Sequence, residues 1–347
     1  MLPACHLCGE LGHEEGASCP QSTNIEASAT APAPATTCAS VPLAAAPPSL
    51  TTGRLTVLTL NVHGWHNEEP GAWSGLVSML QSTNPDVIAL QEATKHRVPA
   101  LARAIGNYHW TVRHNCAILS RFPIGVYPDD NQSSSSLRAS VPKHISGNRY
   151  SRCSVARITP REGLNVDVCC IHLDHVREPT RLAELRQLVE RLLVRDRTAC
   201  QVWLGDFNAL TRSDVTNEEW LAIEDHRARN AWERPVSALT DAITQPTEGC
   251  GRKRGAAVPD KAATKAAGPT SAHLASGLGF TDCWCAAQER DGPLGTSRFA
   301  TRIDYIYCSP ALMQHARVAR CQHLQTIAAK ISDHNGVMAT LELAIQP

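Results

Sequence analysis

The chain has 347 residues, 43% of them apolar, which sets it among soluble globular proteins with room for one large domain or two modest ones. Lys plus Arg equals Asp plus Glu at 33 each, so no general basic field exists and a non-specific coater of DNA is disfavoured. The start "MLPACHLCGE" lacks the basic lead and continuous apolar stretch of a secretory signal, and no run reaches bilayer length. A soluble, intracellular chain without a membrane span is expected, its oligomeric state undetermined. Fourteen cysteines, several of them inside apolar segments, as at Cys116, Cys169, Cys170 and Cys308, read as reduced, buried thiols rather than a disulfide scaffold.

Residues 1–20 carry Cys5, Cys8, His13 and Cys19 in a C-x2-C-x4-H-x5-C series, with Gly9 and Gly12 between. Three thiolates and an imidazole can close a tetrahedral Zn2+ site, and metal binding would then supply most of the folding energy of so short a segment. The series resembles a zinc knuckle with one extra residue before the last cysteine. Glu14 and Glu15 stand where bases often stack, which weakens an inference of nucleic-acid recognition. A disordered cysteine-bearing tail is the alternative.

Residues 21–53, rich in Ala, Pro, Ser and Thr without periodicity, have linker composition, and a folded domain is expected over 54–347. Within it, short runs rich in Val, Ile, Leu and Tyr predict strands: "RLTVLTLNV", "DVIALQEA", "NCAILSRF", "CSVARIT", "LNVDVCCIHL", "CQVWLGDFN", "RIDYIYCS" and "GVMATLELAI". Helices are predicted between them. "GAWSGLVSMLQS" stops near Asn84-Pro85, and "EPTRLAELRQLVERLLVRD" carries an apolar stripe of Leu182, Leu185, Leu188, Val189 and Leu192. "TNEEWLAIEDHRARNAW" has Thr216 or Asn217 as a cap and Glu218 and Glu219 in its first turn. Polar, turn-rich residues near 128–148 and a low-complexity basic stretch near 249–271 read as flexible insertions.

The predicted strands end alike. Asn61, Glu92, His172 with Asp174, and Asp206 with Asn208 close four of them, Asp304 sits inside an apolar run, and Asp333 and His334 precede the last strand. One polar residue at a strand end is ordinarily a turn former; a whole set of Asn, Asp, Glu and His is harder to explain that way. Asp304, flanked by Ile303 and Tyr305, predicts a buried carboxylate that requires a partner. Hard oxygen donors such as Glu92 and Asp333 suit Mg2+, which binds through one or two carboxylates plus the oxygens of a phosphate substrate. Hydrolysis of a phosphodiester needs an oriented water, neutralised non-bridging oxygens and a proton or metal for the leaving oxygen.

The ordered set "LNVHG", "LQEA", "AILSRFPI", "IHLDH", "LGDFNAL", "RIDYIY" and "SDHNGV" resembles the endonuclease/exonuclease/phosphatase superfamily, the fold of deoxyribonuclease I, over roughly residues 54–345. Asn115-Cys116 stands where many relatives carry a glycine. The resemblance implies an α/β (α+β) fold, a four-layer αββα sandwich with the site where strand ends converge. It implies Glu92 as metal ligand, Asn61 positioning metal and phosphate, and Asp333 as a further ligand, with Mg2+ the cofactor and Mn2+ a substitute. Asp206 would activate the attacking water, Asn208 would donate to phosphoryl oxygens, and His172 would protonate the leaving group or bind phosphate. Asp304 would pair with His334. The function expected is a Mg2+-dependent phosphodiester hydrolase with nucleic acid as substrate. The alternatives are a hydrolase of a small nucleotide or phospholipid head group, and an inactive zinc-knuckle RNA-binding protein.

Overall fold

The computed structural model describes residues 53–65, 71–125, 152–193, 198–245 and 277–344. The expected zinc ligands Cys5, Cys8, His13 and Cys19, the linker up to residue 52 and both expected insertions lie outside them.

In chain order the elements are β1 (Arg54–Asn61), α1 (Ala72–Thr83), β2 (Val87–Gln91), α2 (Val98–Ala104), β3 (His109–Arg113), β4 (Cys116–Ser120), β5 (Arg152–Arg161) and β6 (Leu164–His172). There follow α3 (Glu178–Leu192), β7 (Cys200–Asp206), α4 (Asn217–Arg229), α5 (Ala238–Thr244), β8 (Thr281–Asp282), β9 (Glu289–Asp291), β10 (Asp304–Cys308), β11 (Ala316–His323) and β12 (Val337–Leu343). Seven strands form one sheet in the order β3-β4-β2-β1-β12-β11-β9, and five form the other in the order β5-β6-β7-β10-β8. Both sheets mix parallel and antiparallel neighbours, with β1–β2 and β6–β7 parallel.

Side chains alternate across a strand, and that alternation builds four layers. Leu55 and Val57 of β1, with Val87 and Ala89 of β2, face Val166 and Val168 of β6, Val202 and Leu204 of β7 and Ile306 of β10 in the core between the sheets. The even residues Leu58, Leu60, Ile88 and Leu90 point outward onto Leu76 and Leu80 of α1 and Leu101 of α2. On the far side Cys169, Ile171, Trp203, Tyr305 and Tyr307 meet Leu185, Leu188, Val189 and Leu192 of α3 and Leu239 and Ile243 of α5. The stripe predicted for α3 is therefore its buried face, and each such side chain contributes about 2 kcal/mol on burial. The central strands are covered on both faces, which is why they read as nearly continuous apolar runs. The αββα sandwich expected from the sequence is the fold.

Of the two caps the sequence offers α4, Thr216 is the one used, in a capping box: Thr216 Oγ1 accepts from the N–H of Glu219 at 3.2 Å, and Glu219 Oε2 accepts from the N–H of Thr216 at 2.7 Å. Asn115 adopts φ +60, so asparagine fills the left-handed turn position that a glycine would take. All nine cysteines among the described residues are free, and seven are buried. Strands β3, β8, β9 and β11 and helices α2 and α5 escaped the sequence reading. "HWTVR" is a short, exposed edge strand, and in "ARVARCQH" a register shift between Val318 and Arg320 breaks the alternation. No helix among the described residues is long and apolar enough to cross a membrane.

Candidate active site

Strand parity carries the site residues into the cleft between the sheets. Asn61 continues the inward series Leu55 and Val57, while His172, Asp206 and Asp304 continue or begin the inward series of β6, β7 and β10. Register then aligns them. His172 pairs with Asp206 across β6–β7, and Asp206 with Asp304 across β7–β10, so three adjacent strands present one polar row at the same end of the sheet. From the facing sheet, Asn61 pairs with Gln91 across β1–β2, and Glu92 follows at once.

The side chains meet. Asn61 Nδ2 donates to Asp206 Oδ2 at 3.1 Å and to Glu92 Oε1 at 3.3 Å, bridging the two sheets. His172 Nε2 lies 3.7 Å from Asp206 Oδ2 and 3.9 Å from Glu92 Oε1. His334 Nδ1 bonds Asp304 Oδ2 at 2.9 Å, leaving its Nε2 3.9 Å from Asp206 Oδ2. Asp206, Asp304 and His172 are buried, whereas the Glu92 side chain is 35% exposed and lines the mouth. Asn208 donates its backbone N–H to Asp206 Oδ1 at 2.9 Å and its Nδ2 to the Leu173 carbonyl at 3.0 Å. Glu92 and Asn208 both hold left-handed backbones, φ +56 and +50, a strain that turns each side chain out of the plain strand direction.

Asp333 faces a neighbouring part of the rim, with His63 Nδ1 3.3 Å from its Oδ1 and Arg298 Nη1 4.0 Å from its Oδ2. The backbone N–H of His63 donates to Asn61 Oδ1 at 2.9 Å, so His63 links Asp333 to the Asn61 and Glu92 pair. Asp174 lies outside the cleft: its Oδ1 accepts from the N–H groups of Val176 and Arg177, the turn-forming role ordinary for such a residue.

Electrostatics sharpen these roles. Burial pushes the Asp206 carboxyl up from the usual aspartate range, and repulsion from Asp304 adds to that, against attraction from His334 and His172. Burial opposes a charge on His334, but the Asp304 carboxylate and its hydrogen bond outweigh it, raising the imidazole to about 10. Ligand atoms of Asp206, Asp304 and His334 lie within 4.8 Å of one another, a geometry open to a metal ion. With His334 protonated and no metal bound, the trio is a charged hydrogen-bonding unit; a cation there would have to displace that proton. The hard oxygens at the mouth, Glu92 with Asn61 Oδ1, are the donors whose chemistry fits a divalent cation.

Several positioning groups carried no sequence signal. Ser332 donates its hydroxyl to the Asn61 carbonyl at 2.6 Å and accepts from the His334 N–H at 3.2 Å, tying that loop to β1. Thr296 Oγ1 accepts from the N–H groups of Ile303 and Asp304 at 2.9 and 3.0 Å. Arg302, buried, makes two bonds to Asp214 and one to Asp282, fixing the start of β10. A short polar side chain bonded to nearby backbone looks in sequence like any turn residue, so only the folded chain reveals these. At Gly205, φ +152, an added Cβ would fall 1.8 Å from the Ile171 carbonyl oxygen; only glycine lets β7 approach β6 beside Asp206.

No curated protein matches this sequence. Among solved structures, an endonuclease/exonuclease/phosphatase from Beutenbergia cavernae DSM 12333 is similar at 16% identity and TM-score 0.50, over 84% of this chain and 72% of that one. A mannosyl-6-phosphatase from Bacteroides thetaiotaomicron VPI-5482 is similar at 17% identity and TM-score 0.48, over 84% and 100%. Truncated TDP2 from Caenorhabditis elegans is similar at 18% and 0.46, over 84% and 98%. The sequence matches the model of the Endonuclease/Exonuclease/phosphatase family over residues 58–334, a span that takes in every residue of the cleft. The chain thus belongs to the endonuclease/exonuclease/phosphatase family, whose members hydrolyse phosphoesters.

Proposed function

We propose that this protein is a Mg2+-dependent phosphodiesterase that cleaves nucleic acid by in-line attack of water. The observation that carries the reading is the polar row His172, Asp206 and Asp304, completed by His334 and faced by Asn61 and Glu92 across the cleft. Asp206, with its pKa raised and two imidazoles nearby, is suited to take the proton of the attacking water while a new P–O bond forms. His334, held as imidazolium by Asp304, would neutralise the non-bridging oxygens and the Asn208 amide would donate a hydrogen bond to them, while His172 would donate its proton to the leaving oxygen as the old P–O bond breaks. Glu92, Asn61 and Asp333 would hold the cation, which when bound supplies Lewis-acid stabilisation of phosphoryl charge.

A panel of single-stranded and duplex oligonucleotides, nucleotides and phospholipid head groups, assayed with Mg2+, Mn2+ and chelator, tests the proposal. Oligonucleotide cleavage that needs the metal and drops about 10³-fold or more in Glu92→Ala and Asp206→Ala is expected. Turnover of a small phosphoester alone would move the chemistry to the alternative substrate class, and binding of RNA unaffected by either substitution, without hydrolysis, would leave an idle binding protein.

A further inference from the structure

We propose that Trp232, Phe299 and His226, with Arg298 over the Phe299 ring, form a platform on which an unpaired base of the substrate strand stacks; this rests on the nucleic-acid reading above. The three rings touch edge-on or tilted, with centroids 5.2 Å apart for Trp232 and Phe299, 5.5 Å for His226 and Trp232 and 6.1 Å for His226 and Phe299. Such contacts normally bury aromatic surface, yet Trp232 is 45% and Phe299 47% exposed, and His226 is exposed too. A contiguous exposed aromatic patch marks an interaction site rather than a scattered surface residue. The Arg298 guanidinium lies 4.9 Å from the Phe299 ring centroid, so the patch carries a cation able to meet a phosphate or cover a base.

The platform is fastened to the cleft from two sides. The Arg298 N–H donates to the Asp333 carbonyl at 3.1 Å, and Ser297 bridges His334. On the other side, the Trp232 N–H closes the end of α4 on the Arg227 carbonyl, and the next residue, Glu233, accepts from the Glu178 N–H and from Arg181 Nη2, each at 2.8 Å. Arg181 Nη1 in turn bonds the carbonyl of Asp174, two residues beyond His172. Trp232 and Phe299, distant in sequence, are thus held beside the catalytic loops by one bonded frame. Every base has a π-face, so stacking is tolerant of sequence, but a paired base inside a duplex offers none; the occupant is therefore single-stranded.

The test measures binding of the full chain, with chelator present, to a fluorescein-labelled eight-nucleotide single strand, its duplex and an abasic strand of equal length. Trp232→Ala and Phe299→Ala are expected to weaken the single strand by about tenfold each, and the abasic strand far less. Trp232→Phe, which keeps a ring, is expected to hold affinity near wild type and so separates stacking from damage to the fold. Unchanged affinity in both alanine variants, or equal loss on the base-bearing and abasic strands, would overturn the platform while leaving strand cleavage intact. A wild-type chain that hydrolyses small phosphoesters but neither binds nor cuts the strand would overturn the nucleic-acid reading and the platform with it.

Discussion

At the scale of single residues, the charge on His334 is set by Asp304. Its imidazole, raised to about 10, gains stability from protonation that is fully present below its ordinary value of 6.5 and is lost as pH climbs through 10. Asp304→Asn removes the largest of the groups that raise it and leaves Asp206 and Asp333, which also raise it, against burial, which lowers it. Ring titration followed by NMR in metal-free protein should therefore move down from about 10, with kcat/KM falling about 10⁴-fold by analogy with the loss of an orienting carboxylate in a hydrolase triad. A titration that stays near 10 in the variant would remove Asp304 from this role. Asp206 has the opposite bearing on the fold. Its raised pKa means that ionisation is penalised in the native state, so Asp206→Asn should abolish turnover while raising the melting temperature, at about 2–4 °C per kcal/mol. Asp206 and Asp304 were legible because a carboxylate among apolar neighbours has few bland explanations. Ser332, Thr296 and His63 were not, because hydroxyl contacts to backbone and an imidazole facing a carboxylate far along the sequence leave no pattern along the chain.

Among elements, β10 depends on Arg302. Its guanidinium joins Asp214, in the loop after β7, to Asp282 of β8, all three being largely inaccessible to water. Arg302→Ala would leave two carboxylates buried without their cation and should cost about 3–5 kcal/mol, read as a lower urea midpoint with the slope unchanged. A conservative Arg302→Lys should restore only part of it, since one ammonium cannot reproduce a fork bonded to both acids. Helix α3 was legible because burial on one face imposes a period on sequence, and strands β1, β2, β6 and β7 because burial on both faces makes short continuous apolar runs. Strand β3 was not: it borders the large sheet, largely in water, and Trp110 and Val112 are too few apolar residues to establish a period of two.

For the whole molecule, balanced charge makes salt an informative variable. If a strand crosses the cleft, affinity should fall steeply between about 50 and 200 mM salt through counterion release, whereas a small phosphoester should respond weakly. The N-terminal Cys5, Cys8, His13 and Cys19 set predicts roughly one Zn2+ per chain that is lost in Cys8→Ser, measured by metal analysis of the full-length protein. Equal zinc in both proteins would reject that ligand set. The architecture was readable from the order of motifs, but the aromatic surface was not: Trp232 and Phe299 belong to no repeat, and only folding makes them neighbours.

Because His172, Asp206 and Asp304 stand in one rank across three hydrogen-bonded strands, their spacing is dictated by the peptide ladder itself rather than by the loops around it. One residue inserted between Tyr305 and Cys308 would invert the facing of Asp304 and break the rank, while turns that carry none of the Arg302 and Thr296 bonds lie outside it. Were the rank to act as proposed, chemistry would follow strand register, and substrate preference would follow the segments that border the cleft.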